Sequence, residues 1–335
     1  MLPDSGNRWL AISRRLPLHD AGQGQMKQKP RFTVAIIGAG RVGSVLGKLL
    51  IGGGQQVRCI ISRTEASARK AGRFLHCRNV GTSFQGIPSN VNLVLITTPH
   101  GAIAEVSRSL ARLDQLKYNR LAVCHVSGML TAEVLDPLRE RGATVFSFHP
   151  LQTFPRDFLP GDIVQSARGI YYGVDGAAKG VTMARRLARV LQGRIIEIPP
   201  EMRVFYHAAC VVASNHLTAL VWVLERMFRT LRVREKNFFP VFRPIMEATL
   251  KNIALTSPAK ALSGPVARGG VETIADHFTS IKKHAPEIMP YFLGMTAESA
   301  RLAREKGSID ETQFASMMGL VHSQNSEPSH TQEIR

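Results

Sequence analysis

Residues 34–47 read VAIIGAGRVGSVLG. Four apolar residues of strand character run into Gly38, Gly40 and Gly43, and the chain then continues with helical character through RVGSVLGKLL. That order gives each glycine a physical task. Gly38 permits the tight turn, Gly40 lets the backbone approach a pyrophosphate, and Gly43 allows the helix to pack close to the strand, with the helix N-terminus facing the phosphates. Arg41 and Val42 share the loop and count with these glycines as cofactor-binding residues. The stretch predicts a strand, a phosphate-cradling turn and a helix, the opening unit of a dinucleotide site.

The next strand ends IISRTE, residues 60–65, where a fold selective for NAD usually places an acid to hold the ribose 2′-hydroxyl. Ser62 and Arg63 occupy that corner instead. A guanidinium can contact a 2′-phosphate through two hydrogen bonds, so NADP, bound as NADPH, is the expected cofactor. Glu65 is expected to turn back as the second half of a Ser62–Glu65 capping box.

Outward from this unit, short β-rich runs alternate with helical stretches to about residue 200. QVRCIIS, VNLVLITTP, LAVCHVSG, ATVFSFHP, GIYYGV and RIIEI are the strands, and the alternation predicts a doubly wound parallel sheet. Ligands bind at the C-terminal strand ends of such sheets. That rule adds Thr97, Thr98 and Pro99 to the cofactor site and gathers His125, Ser127 and His149 near the reacting end of the cofactor. After Pro199-Pro200 the texture becomes helical, with elements expected at 201–231, 239–255, 271–284 and 289–305. The chain therefore reads as α/β, with a sheet domain over 31–200 and an all-α domain over 201–321. Residues 1–30 and 322–335 are expected to be a disordered extension and tail. Residues 1–30 lack the apolar core of a secretory signal; with SRR and few acids they also suit an organellar presequence, or a translation start at Met26.

YHAACVVASNHLTAL, residues 206–220, carries His207, Asn215 and His216 through an otherwise apolar helix. Buried polar side chains must find partners. In an ideal α-helix His207 and Asn215 stand about 12 Å apart along the axis and about 80° apart around it, so they could bracket a small substrate. Ser214 and Thr218 would extend the His207 direction into a polar stripe. Farther on, in SGPVARGGVETIADHF, Arg268 is the natural clamp for a carboxylate, and Glu272 could orient water or a hydroxyl.

The whole chain of 335 residues is 44% hydrophobic with a formal net charge of +18. That field favours an anionic cofactor and substrate. Lys and Arg are dispersed and no nucleic-acid motif is present, so nucleic acid is not an expected partner, nor is a membrane. Four scattered cysteines without a CxxC pair suggest neither a disulfide framework nor a metal site, and a cytoplasmic setting is expected.

Together the glycine loop, HVSG, HPLQTF, the 206–220 helix and SGPVARGG resemble a family of Rossmann-like proteins with a C-terminal domain called DUF2520, similar to ketopantoate reductase, 6-phosphogluconate dehydrogenase and pyrroline-5-carboxylate reductase. The family usually carries an acid after Arg-Gly, where this chain has Gly270. Aligned with ketopantoate reductases, His207 falls where they carry a lysine and Val211 where they carry an asparagine. The resemblance implies an NADPH-dependent reductase of a small carboxylate-bearing carbonyl compound, a ketopantoate-like 2-oxo acid first. The alternatives are a dehydrogenase or imine reductase on another metabolite and a non-catalytic dinucleotide sensor. In the reductase His207 donates the proton, Ser127 and Asn215 position the substrate, His149 is a second acid, and His125, Arg268 and Glu272 contact the substrate. A homodimer is also implied.

Overall fold

The computed structural model describes residues 32–325, so the extension expected at 1–30 and most of the expected tail lie outside the described residues. The elements up to residue 147 are β1 (Thr33–Ile37), α1 (Arg41–Gly52), β2 (Gln56–Ile61), α2 (Glu65–Leu75), β3 (Val80–Gly81), β4 (Leu93–Ile96), α3 (Ile103–Ala111), β5 (Ala122–His125), α4 (Asp136–Glu140) and β6 (Thr144–Ser147). Their strands form a six-stranded sheet in the order β3-β2-β1-β4-β5-β6, parallel at every pairing. Along β1, Val34 and Ile36 enter one apolar cluster while Ala35 and Ile37 enter another on the opposite face. Both faces are covered, and that is why these strands read as continuous apolar runs without polar alternation.

GIYYGV and RIIEI do not extend this sheet. They are β8 (Tyr171–Val174) and β9 (Arg194–Glu197), which pair in parallel in a second, three-stranded sheet, with β7 (His149–Pro150) antiparallel to β8. Between them lie α5 (Pro160–Val164) and α6 (Ala178–Val190). Phe148 breaks from the β6 direction and stacks on Tyr172, ring centroids 4.2 Å apart, and this apolar contact turns His149 toward the second sheet.

The expected helix over 201–231 is four segments, a 3₁₀ turn (Pro200–Met202), α7 (Arg203–Val211), a π turn (Val212–His216) and α8 (Leu217–Thr230). The chain divides into compact units between Leu217 and Thr218, later than the boundary read at Pro199-Pro200. The physical reason is Arg203. Its buried guanidinium lies 3.3 Å from Asp175 Oδ2 and donates to the Ser127 carbonyl at 2.8 Å, binding α7 to the sheet unit. The helical unit contains α9 (Phe238–Leu255), α10 (Pro258–Ala261), α11 (Val271–His284), α12 (Met289–Lys306) and α13 (Glu311–Asn325), the last running into the segment expected as tail. Its core joins Ile274, Phe278, Leu293 and Val321.

By length and hydropathy the stretch Pro200–Thr230 could cross a membrane. Arg203, buried against Asp175, instead commits its first turn to the sheet unit.

Breaking a buried ion pair from one side leaves an uncompensated charge. Arg203→Met is expected to lower stability by roughly 3–5 kcal/mol in urea unfolding, whereas an exposed pair such as Arg185–Glu197 is expected to be worth less than about 1 kcal/mol.

Candidate active site in the sheet unit

The glycine loop is built as its spacing requires. Gly38 has φ +90°, and a Cβ there would stand 2.6 Å from the Thr98 nitrogen; a Cβ on Gly43 would stand 2.5 Å from Thr97 Oγ1. Gly40 differs, since a Cβ there would meet nothing within 4 Å. Packing does not demand glycine at that position, and the missing side chain leaves the backbone open to the space beside it. α1 begins at this point with no side-chain cap and no acid in its first turn, so its first N–H groups face the open space.

That space is a cavity of about 910 Å³ lined by the glycine loop, Val42, Ser62–Thr64, Ser67 and Thr97–Pro99. Thr97 supports the loop from beneath, donating to the Gly38 carbonyl. Thr98 Oγ1 is buried without a hydrogen-bond partner among the described residues, a polar atom that a bound group would satisfy. Arg41 turns to the other side of the loop, where its guanidinium donates to the Arg156 carbonyl and lines a neighbouring cavity of about 500 Å³ with Lys70.

The capping box expected at the ribose corner is absent. Thr64 caps α2, its hydroxyl accepting from Ser67 N, while Ser62 Oγ accepts from Ala39 N at 3.2 Å and so ties the β2 end to the glycine loop. Glu65 falls on the first helical position and pairs with Arg69 at 3.6 Å, one turn along the surface. The pattern Ser-x-x-Glu was right for a cap but misplaced by two residues, because Ser62 is taken by the loop. The corner thus presents Arg63, Thr64 and Ser67, of which the last two had no signal beyond their neighbourhood.

At the other end Ser127, His149 and His207 converge on Gly128. A Cβ on Gly128 would lie 2.5 Å from His207 Cδ2 and 3.0 Å from His149 Nε2. The two imidazole centroids are 6.0 Å apart. Ser127 Oγ accepts from Met129 N and Leu130 N and lies 3.1 Å from His100 Nδ1. His149 Nδ1 lies 2.8 Å from the Tyr206 hydroxyl. His100 and Tyr206 escape sequence reading, since neither stands in a motif that marks its side chain.

His125 is placed differently from its expected substrate contact. It is fully buried, Nε2 bonded to the Thr131 carbonyl and Nδ1 accepting from Ser127 N, so it shapes the HVSG loop from inside. Asn215 is exposed in the π turn, and Ser214 Oγ lies within hydrogen-bond distance of both its Oδ1, at 2.9 Å, and the Cys210 carbonyl, at 2.8 Å. The i→i+5 bonding of a π turn widens the helix, so the 80° offset expected for an ideal helix does not hold. Arg268 and Glu272 belong to the helical unit, Arg268 exposed at the end of a 3₁₀ turn and Glu272 in the first turn of α11, where a carboxylate is favoured.

A parallel sheet in Rossmann order and an open glycine loop define a Rossmann-like fold with a turn of the kind that accommodates a dinucleotide. The comparisons agree: the model of a Rossmann-like domain matches residues 19–150, and that of a domain of unknown function, DUF2520, matches residues 170–299. The chain is a Rossmann-like protein carrying a DUF2520 domain. No curated protein matches its sequence. Among solved structures, a protein from Thermotoga maritima aligns at TM-score 0.64 and 20% identity, over 82% of this chain and 99% of that one. A Bacteroides fragilis protein, named as a proposed NADP oxidoreductase, aligns at 0.63 and 18%, over 81% and 98%. A reductive aminase from Aspergillus terreus, solved with NADPH and ethyl-5-oxohexanoate, aligns at 0.54 and 14%, over 88% and 93%. At these identities the likeness is one of fold.

Burial pushes His125 down to about 4, against the opposing hydrogen bond to Thr131 and the charge of Asp175. Burial, Arg203 and His207 push His149 down to about 4 as well. Unfolded histidine titrates near 6.5, so between those values the unfolded chain binds more protons and stability rises with pH. The urea midpoint is therefore expected to fall as pH drops from 7 to 4.5, with an uptake on unfolding approaching about two protons. A midpoint that stays level over that window would contradict both burials.

Proposed function

We propose that the chain is an NADPH-dependent reductase of a small carboxylate-bearing carbonyl compound, with a ketopantoate-like 2-oxo acid as the first substrate to test. The observation that carries the cofactor half is the ribose corner: Arg63, Thr64 and Ser67 line it while Glu65 pairs with Arg69. A guanidinium beside two hydroxyls suits a phosphate dianion better than a sugar hydroxyl. The glycine loop and the α1 N-terminus would hold the pyrophosphate.

NADPH held by the glycine loop and Arg63 would supply a hydride to the substrate carbon. His207 would give its proton to the carbonyl oxygen as the C=O π bond breaks, leaving a 2-hydroxy acid. Ser127 holds the substrate beside Gly128. Asn215 and the carboxylate clamp Arg268 stay candidates, each read from the KM of its alanine variant. An imine in place of the carbonyl needs the same hydride and proton, and the NADPH-bound reductive aminase of like fold makes imines the second panel.

Fluorescence titration tests the root of the reading. Arg63→Ala is expected to weaken NADPH binding roughly 10- to 100-fold, the worth of charge-assisted hydrogen bonds, and to leave NADH binding nearly unchanged. His207→Ala is expected to lower kcat by about 10²–10⁴ with NADPH affinity retained. Tight binding without turnover on either panel would favour a dinucleotide sensor, and no nucleotide binding would end the reductase reading.

The partner proposed for the helical unit is a second copy of the chain. α9 contains no buried residue and exposes Phe239, Val241, Ile245, Leu250 and Ile253, apolar side chains that a second copy could cover. Sedimentation is expected to give a dimer that Ile245→Glu shifts toward monomer.

A further inference from the structure

We propose that Tyr206 is a positioning residue that fixes His149 as the Nε2–H tautomer, making His149 a neutral hydrogen-bond donor to the substrate oxygen beside Gly128. The inference rests on the reductase reading for its kinetic consequence but not for its geometry.

The direction of the His149–Tyr206 hydrogen bond follows from the chemistry of its two partners. The half-buried Tyr206 hydroxyl lies 2.8 Å from His149 Nδ1. A phenol O–H is a more acidic donor than a neutral imidazole N–H, and an imidazole nitrogen is a more basic acceptor than a phenol oxygen. The stronger donor meets the stronger acceptor when the phenol donates to Nδ1. Nδ1 is then the acceptor, and the ring proton sits on Nε2.

Nε2 lies on the Gly128 side of the ring. It is the atom, with Cε1, that a Cβ on Gly128 would approach at 3.0 Å, on the side where His207 also arrives. The groups packed around the ring are Gly128 and His125 from the β5 end, Arg203, Tyr206 and His207 from α7, and Gly173 across the β7–β8 pair. Arg203 and His207 both disfavour a positive charge on His149, and burial does so more strongly. Burial likewise raises Tyr206, keeping its proton available for donation. His149 is thereby removed as a second acid; it offers a fixed N–H that strengthens its bond as negative charge grows on the substrate oxygen, while His207 delivers the proton. A neutral imidazole in this electrophilic role has a precedent in general enzyme chemistry.

Gly173 supplies an independent handle. A Cβ at that position would overlap the Tyr206 hydroxyl, so Gly173→Ala displaces the phenol while leaving its chemistry intact.

The test uses ¹⁵N-labelled full-length protein, with the His149 ring signals identified by their loss in His149→Gln. Two-bond ¹H–¹⁵N spectra at pH 7 are expected to show His149 protonated on Nε2 in the wild type and in both tautomers in Tyr206→Phe and Gly173→Ala. With NADPH and a turned-over substrate, both variants are expected to lose roughly tenfold in kcat, about one hydrogen bond, with NADPH affinity unchanged. His149→Gln, which restores a side-chain N–H, is expected to retain more activity than His149→Leu. A wild-type Nδ1–H tautomer, or a tautomer indifferent to both variants, overturns the proposal. Failure of turnover in the wild type would instead overturn the reductase reading and leave the tautomer result standing.

Discussion

The buried contact between Arg203 and Asp175 is the constraint from which the sheet-unit site takes its shape. Asp175 leaves β8 and is bonded from three directions: Ala132 N reaches Oδ1 at 2.6 Å, Ser147 Oγ reaches Oδ2 at 2.5 Å, and Arg203 lies 3.3 Å from Oδ2. Arg203 in turn holds the Ser127 carbonyl. One carboxylate and one guanidinium therefore register the HVSG loop, the end of β6, the second sheet and α7. Ser127, His149 and His207 come from three of those places. Burial makes the arrangement expensive to misassemble, since either charge alone in that interior is strongly disfavoured.

The division of labour along the sheet edge follows the same logic. At β1 and β2 the backbone does the work: open N–H groups at α1, and a Ser62 hydroxyl spent on the loop itself. At β5 and β7 side chains do it, and several are spent on one another. His125 bonds to both ends of the HVSG loop and is held neutral by burial, so the histidine nearest the sheet is a structural strut under the ones that face the cleft.

The glycine loop, the strand order and the helical second half were legible in the sequence because each has a local signature: spacing for the loop, alternation for the sheet, period for the helices. Two kinds of feature were not. Partner competition was invisible, and it moved Ser62 from a cap to the loop, His125 from substrate to scaffold, and the domain boundary from Pro200 to Leu217 through Arg203. Departures from ideal geometry were invisible too; the π turn at Val212–His216 undid an angle calculated for a regular helix. Tyr206 stayed hidden for a simpler reason, since nothing in YHAAC separates a packing tyrosine from one whose hydroxyl is aimed at a histidine.

Gly128 and Gly173 carry a consequence of another kind. Each leaves a gap the size of one methyl, and through those gaps His207, His149 and Tyr206 reach their places. The cleft can thus be ruined by the gain of a single carbon, with every polar atom still present. An inventory of polar side chains would score such a variant as intact, and so the diagnostic letters for a working copy of this cleft are two residues that have no side chain at all.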